Sequence, residues 1–170
     1  MWKYTGEFRP AFAPNPKMGK ESVWDYPRPP RLEFTKALVE VWYGEDLIAR
    51  STRCIRLLET ASPPQFYIPP EDVRQERLQP GSGQSTCEWK GRAHYWRLKE
   101  ADQVGNVGWG YADARAPYSL LNGCFAFYAG PLQCYVNGEK VQPQPGEFYG
   151  GWITSRITGP FKGAPGTEHW

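Results

Sequence analysis

Glu59, Tyr67 and Lys90 are the residues of this chain whose types and settings best suit moving a proton or holding an anion. Glu59 closes the apolar run Cys54-Ile55-Arg56-Leu57-Leu58-Glu59, shortly before Pro63 and Pro64 force a turn. A carboxylate at a strand end among aromatics can be held partly protonated and serve as general acid or base. The alternative is a solvated carboxylate, or one that caps the turn Thr60-Ala61-Ser62. Lys90 stands in Cys87-Glu88-Trp89-Lys90-Gly91. An ammonium beside aromatic faces can receive a carboxylate or phosphate, and the adjacent glycine lets a ligand approach the backbone. The alternative is a solvated ammonium with its stem along the Trp89 indole. Tyr67 adds a hydroxyl to this candidate catalytic set. Trp89, Tyr95, Trp109 and Tyr111 are candidate walls of a binding site, and Arg50 is a second candidate cation. Trp109 and Tyr111 share one strand face at period two. For these, core packing or a polar hairpin edge is the competing reading.

Other chemistries are not written here. No GxxxxGK[ST], GxGxxG or GxSxG occurs, so neither a phosphate cradle nor a serine elbow is indicated. With two histidines in the chain, acid–base work falls to Glu, Asp, Lys or Tyr. Cys54, Cys87, Cys124 and Cys134 form no CxxC pair, and the Cys87–His94 spacing does not suit a zinc knuckle. No metal and no cofactor is expected, and the thiols are expected to be buried or idle.

Stepping from sites to scaffold, 17 Pro and 18 Gly beside 8 Trp, 10 Tyr and 8 Phe argue for a turn-rich β protein. Surface scaling gives about 8,500 Å² for one folded domain of this mass. The 20 Lys+Arg and 18 Asp+Glu leave a formal charge of +2, with no two basic residues adjacent. Binding by phosphate-backbone neutralisation or to anionic membranes is therefore not expected. The start, MWKYTGEFRPAFAPNP, lacks the apolar stretch of an export signal, which predicts a cytoplasmic protein.

Residues 1–20 read as a Pro/aromatic arm, 21–142 as one all-β domain and 143–170 as a Gly/Pro/aromatic extension packed on it. Leu38–Trp42 and Leu47–Ala49 flank Tyr43-Gly44-Glu45-Asp46 as a hairpin, and Asn137-Gly138 marks another. PPEDVRQERL predicts one short helix near 70–78, because proline and acids favour a helix start. Gln79 to Ser85 reads as a polar loop. Ala93–Leu98, Asn106–Tyr111, Cys124–Tyr128 and Leu132–Val136 read as strands, for seven to nine in all.

The segments ESVWDYPRPP, GEDLIARSTR, LLETASPPQFYIPPEDV, CEWKGRAHYW, GWGYADA and GCFAFY, with YVNGEK, resemble the domain-of-unknown-function family four-two-seven, also called a nucleotidyltransferase-like domain. The closing GGWITSRITGPFKGAPGTEHW resembles the extension of longer, cyanobacterial-type members. The resemblance implies a mainly β, compact curved two-sheet β-tent (Mss4-like) fold over a pocket. It singles out Glu59, Pro64, Tyr67, Pro69, Asp72, Cys87, Lys90, Gly91, Tyr95, Trp96 and Tyr111. It does not imply a reaction, since no two-metal carboxylate pair of nucleotidyl transfer occurs. Glu88 stands where relatives usually carry proline, and Ala112-Asp113-Ala114 departs from the usual YPDP.

The leading expectation is a β domain binding a small anionic or nucleotide-like metabolite. An enzyme using Glu59 and Lys90, or a protein-interaction or homodimerisation module built on the arms, are the alternatives. The chain is expected to be a monomer or homodimer, without nucleic-acid or membrane partners.

Overall fold

Short β-forming runs cut by proline and glycine fold into fifteen strand segments, six of them only two residues long. The computed structural model describes residues 1–170. In chain order the first strands are β1 (Glu21–Ser22), β2 (Arg31–Phe34), β3 (Val39–Tyr43), β4 (Asp46–Ser51) and β5 (Ile55–Leu58). Next come β6 (Gln65–Tyr67), β7 (Leu78–Cys87), β8 (Gly91–Leu98), β9 (Gly108–Gly110) and β10 (Ala126–Phe127). The last are β11 (Gln133–Val136), β12 (Glu139–Lys140), β13 (Gln142–Pro143), β14 (Trp152–Ile153) and β15 (Ile157–Thr158). The fold is mainly β, and its strands form five small sheets. Two have four strands, in the orders β10-β9-β8-β7 and β12-β11-β3-β4, and one has three, β2-β5-β6. Two-stranded pairs β1-β15 and β13-β14 complete the set, the former parallel. No helix is long and apolar enough to cross a membrane.

Both hairpins form where turn chemistry places them. Tyr43 pairs with Asp46, leaving Gly44 and Glu45 as the turn, and Val136 pairs with Glu139 across Asn137 (φ 49°) and Gly138 (φ 80°). The helix expected near 70–78 does not form. Pro70–Asp72 and Gln75–Arg77 are separate single 3-10 turns, and Val73 between them is extended (φ −115°, ψ 134°). The cause is tertiary. Val73 bridges to Ala49, and the Arg74 N–H donates to the Ile48 carbonyl at 2.8 Å, so this backbone bonds to β4 instead of to itself. The polar loop expected from Gln79 to Ser85 is likewise strand. β7 runs through it, with a register irregularity between Pro80 and Gln84 that absorbs the proline and glycines.

The largest apolar cluster lies under β3, β4 and β11 and includes Val41, Ile48, Ile68, Phe127 and Trp152. A second cluster, with Tyr67, Trp109, Tyr111 and Leu121, lies under β8 and β9. The exposed area is 8940 Å², close to the value expected for one folded unit. The flanks join the body and each other. Trp24 is fully buried, its Nε1 donates to the Pro160 carbonyl at 3.0 Å, and Tyr4, Phe12 and Trp170 meet its ring edge-on at 5.1–5.3 Å. β15 pairs with β1, and Trp152 of β14 stacks on Phe66 at 5.0 Å.

Asp72 pins the first 3-10 turn to the end of β4. It accepts from Arg53 Nε at 2.9 Å and from the Ser51 hydroxyl at 2.6 Å. The Arg53 guanidinium holds this carboxyl below the usual aspartate range, assisted by Ser51. A folded-state value depressed in this way stabilises the fold above the unfolded value, near pH 4, and is lost as pH falls further. Asp72→Asn is expected to cost about 1–2 kcal/mol at pH 7. Urea unfolding at pH 7 and pH 3 should show the gap between variant and wild type shrinking at pH 3. An unchanged gap would show that Asp72 acts through shape alone.

Candidate functional site

The candidate residues are delivered by three local devices. The first is the β7–β8 hairpin, in which Cys87 pairs with Gly91 and Glu88-Trp89-Lys90 form the connection. Gly91 takes φ +102°, which an L side chain rarely adopts, and the nearest atom to an added Cβ would be 3.6 Å away. Its glycine serves the turn rather than the approach of a ligand. Arg115 ties the connection down: its N–H donates to the Lys90 carbonyl at 2.9 Å and its Nη1 to the Glu88 carbonyl at 3.1 Å. The second device is strand alternation and register, which sets Tyr95 opposite Trp109 and leaves Tyr111 just beyond β9. The third is the turn after β5, where the Ser62 N–H donates to the Glu59 carbonyl at 3.0 Å. That turn uses the Glu59 backbone, which leaves the carboxylate free for another partner.

These devices converge on a cavity of about 350 Å³ lined by Glu59, Trp89, Lys90, Tyr95, Trp109 and Tyr111. Two expected members lie elsewhere. Tyr67 is fully buried behind the wall, where its hydroxyl donates to Gln65 Oε1 at 2.8 Å and accepts from Trp109 Nε1 at 3.2 Å. Burial pushes its phenol far above the ordinary tyrosine value, so it orients Trp109 and does not exchange protons near neutrality. Arg50 lies on the exposed face of β4, where antiparallel register sets it opposite Glu40, and its Nη2 meets that carboxylate at 2.7 Å. It is a cross-strand surface ion pair, remote from the cavity.

The flanks supply what the sequence reading did not name. Trp2, Tyr149, Gly150 and Lys162 also line the cavity. Gly150 lies flat on the Trp109 ring, and a Cβ there would collide with it. Lys162 is 5% exposed, its Nζ donating to the Trp170 carbonyl at 3.0 Å and lying 4.5 Å from the Trp2 ring centroid. Burial, then the Arg28 charge, lowers its ammonium below the ordinary lysine value. Arg28 is itself buried. It donates to Glu59 at 3.2 Å, to the Thr60 carbonyl at 3.0 Å and to the Tyr4 carbonyl at 3.1 Å, and it lies 4.1 Å from the Trp2 ring. No spacing rule joins residues 2, 28, 59 and 162, so only the folded chain shows them together.

The charges divide unequally. Glu59 is held by Arg28, and Glu88 accepts the Trp2 indole N–H at 3.0 Å. Glu88 therefore anchors the N-terminal segment over the cavity. Lys90 is 4% exposed, with its Nζ 5.5 Å from the Tyr111 ring centroid, and it has no carboxylate partner. Lys162 differs, since Glu59, Glu88 and Glu168 all favour its charged form. Trp89 Nε1 is buried without a hydrogen-bond partner. No three His, Cys, Asp or Glu side chains cluster so as to hold a metal. All four thiols are free; burial raises Cys54 to about 12 and Cys124 to about 11, so neither is a nucleophile at neutral pH. Cys87, half-buried, lines the cavity.

Fold and site together define a mainly β domain with an aromatic-walled, lysine-bearing cavity. Its sequence matches the family model for a domain of unknown function (DUF427) over residues 31–138, more than half of the chain, and the chain belongs to that family. No curated protein matches it. The matched span carries Glu59, Lys90, Tyr95, Trp109 and Tyr111, whereas Trp2, Tyr149 and Lys162 lie outside it.

Proposed function

We propose that the chain is a small-molecule-binding domain whose cavity takes an anion. The observation that carries this reading is Lys90, a buried lysine that makes no ion pair and faces a cavity with a second buried lysine, Lys162, in its wall. A buried, unpaired charge is costly, and a ligand that brings the opposite charge removes the cost. Tyr111, Trp109 and Tyr95 supply apolar walls. An acid–base reaction run by Glu59 and Lys90 is the second reading, favoured by their sharing this cavity. A β-tent relationship for the curved sheets, and a cytoplasmic setting, belong to the same proposal.

The test is a thermal-shift screen of nucleotides, sugar phosphates, amino acids and organic acids on wild type and Lys162→Met. A ligand at 100 times its Kd adds about 2.7 kcal/mol, which is several degrees for a domain of this size. Anions are expected to dominate the hits, and the variant is expected to lose those shifts. Hits confined to cations or neutral molecules, or anion shifts that persist undiminished in Lys162→Met, would overturn the proposal.

A further inference from the structure

We infer that the ligand has two parts, an anionic head held in the lysine-bearing cavity and an uncharged flat ring held in a second cavity beside it. The inference rests on the anion-binding reading above. The second cavity has a volume of about 460 Å³ and shares four walls with the first: Tyr95, Tyr128, Phe148 and Tyr149. Its chemistry is different. It contains no lysine or arginine, and Pro131 and Pro143 add apolar edges.

Three polar side chains of the second cavity are already engaged. Asn106 donates to the Ser82 carbonyl at 2.8 Å and accepts the Ser82 N–H at 3.0 Å. Gln144 donates to the Lys162 carbonyl at 2.7 Å and accepts the Gly151 N–H at 2.9 Å. The Tyr95 hydroxyl donates to Ser85 at 2.7 Å. What remains for a ligand is ring face, proline edge, the Tyr128 and Tyr149 hydroxyls, and the carboxylate of exposed Glu147, which disfavours a second negative charge there. A chamber that offers two lysines, joined to one walled mainly by rings and prolines, matches a molecule charged at one end and flat and neutral at the other.

Between the chambers stand Phe148 and Tyr149, edge to face at 5.3 Å. Phe148 is 66% exposed, which is unusual for so large an apolar side chain, and it faces both cavities. A ring laid against it would cover apolar surface that the protein itself leaves in water.

Calorimetric titration of the full chain with inorganic phosphate, phenyl phosphate and 1-naphthyl phosphate tests the inference. Acetate, benzoate and 1-naphthoate form the matched carboxylate series and decide which anion the head is. Affinity is expected to rise by about tenfold or more from the bare anion to the naphthyl member of one series, from the added ring burial. Phe148→Ala is expected to shrink that ratio to about threefold or less, and Lys90→Met to weaken every member of the series. Lys90-dependent binding with no ring gain in either series would overturn the two-part ligand and leave the anion site standing. A ring gain that survives intact in Phe148→Ala would place the ring elsewhere and also overturn it. Failure of every anion in both series would overturn both readings together.

Discussion

Lys90→Met is expected to stabilise the protein while removing its anion binding. Lys90 is a buried residue (4% exposed), and its ammonium faces Tyr111 without an ion pair. Methionine has nearly the same length and suits the aromatic surroundings of Trp89, Tyr111 and Trp109. Relief of the unpaired charge should add about 1 kcal/mol, or roughly 2–4 °C in Tm for a chain of this size. Loss of a charge-assisted contact should weaken a phosphate or carboxylate ligand by about tenfold to a hundredfold. A residue kept at a cost to stability and needed for binding is the pattern expected of a functional site. Differential scanning calorimetry and titration on the same samples read both effects. A lower Tm with unchanged anion affinity would show that Lys90 is a structural residue, and the anion-binding proposal would lose its main support.

Trp152→Ala is expected to give the largest loss of stability, although it lies outside the family-matched span. Its side chain is 1% exposed, stacks on Phe66 at 5.0 Å and donates to the Phe127 carbonyl at 2.8 Å. Its own N–H donates to the Pro64 carbonyl at 2.8 Å. Truncation leaves a cavity in the main apolar cluster and an unpaired buried carbonyl, at a cost of about 3–5 kcal/mol. That corresponds to a fall in Tm on the order of 10 °C. Trp152 also anchors the segment carrying Tyr149 and Gly150 to the cavity wall, so ligand affinity should fall with stability, even well below the Tm. Denaturant unfolding and titration at 15 °C would check this. A loss under about 1 kcal/mol would mean that the C-terminal extension is an accessory to the core, contrary to its burial here.

Gly150 and Glu88 carry a related lesson about how the flanks became part of the site. Gly150 lets the extension lie on Trp109, where any side chain would collide. Glu88 gives the N-terminal segment a fixed acceptor for Trp2. Neither role is visible from local sequence, because each partner lies 41 or 86 residues away.

The sequence by itself determined the mainly β character and both short hairpins, and it singled out Glu59, Trp89, Lys90, Tyr95, Trp109 and Tyr111, which the fold then sets around one cavity. These are consequences of local rules: period-two alternation, a glycine with positive φ closing the β7–β8 connection, and proline ending the run that leads to Glu59. The tertiary structure alone decided the rest. The 70–78 segment carries a strong helix-start signal, yet the Arg74 N–H bonds to Ile48, and a pairing with β4 outweighs the propensity of so short a segment. Arg50 and Lys90 are both cations near strand ends in sequence, but cross-strand register gives Arg50 the carboxylate of Glu40 and gives Lys90 only aromatic rings. Lys162 and Trp2 enter the cavity wall, and Arg28 the contacts of Glu59, because the flanking segments pack on the body of the domain. Burial and charge pairing depend on which distant segments meet, and that is set by the packing of the whole chain.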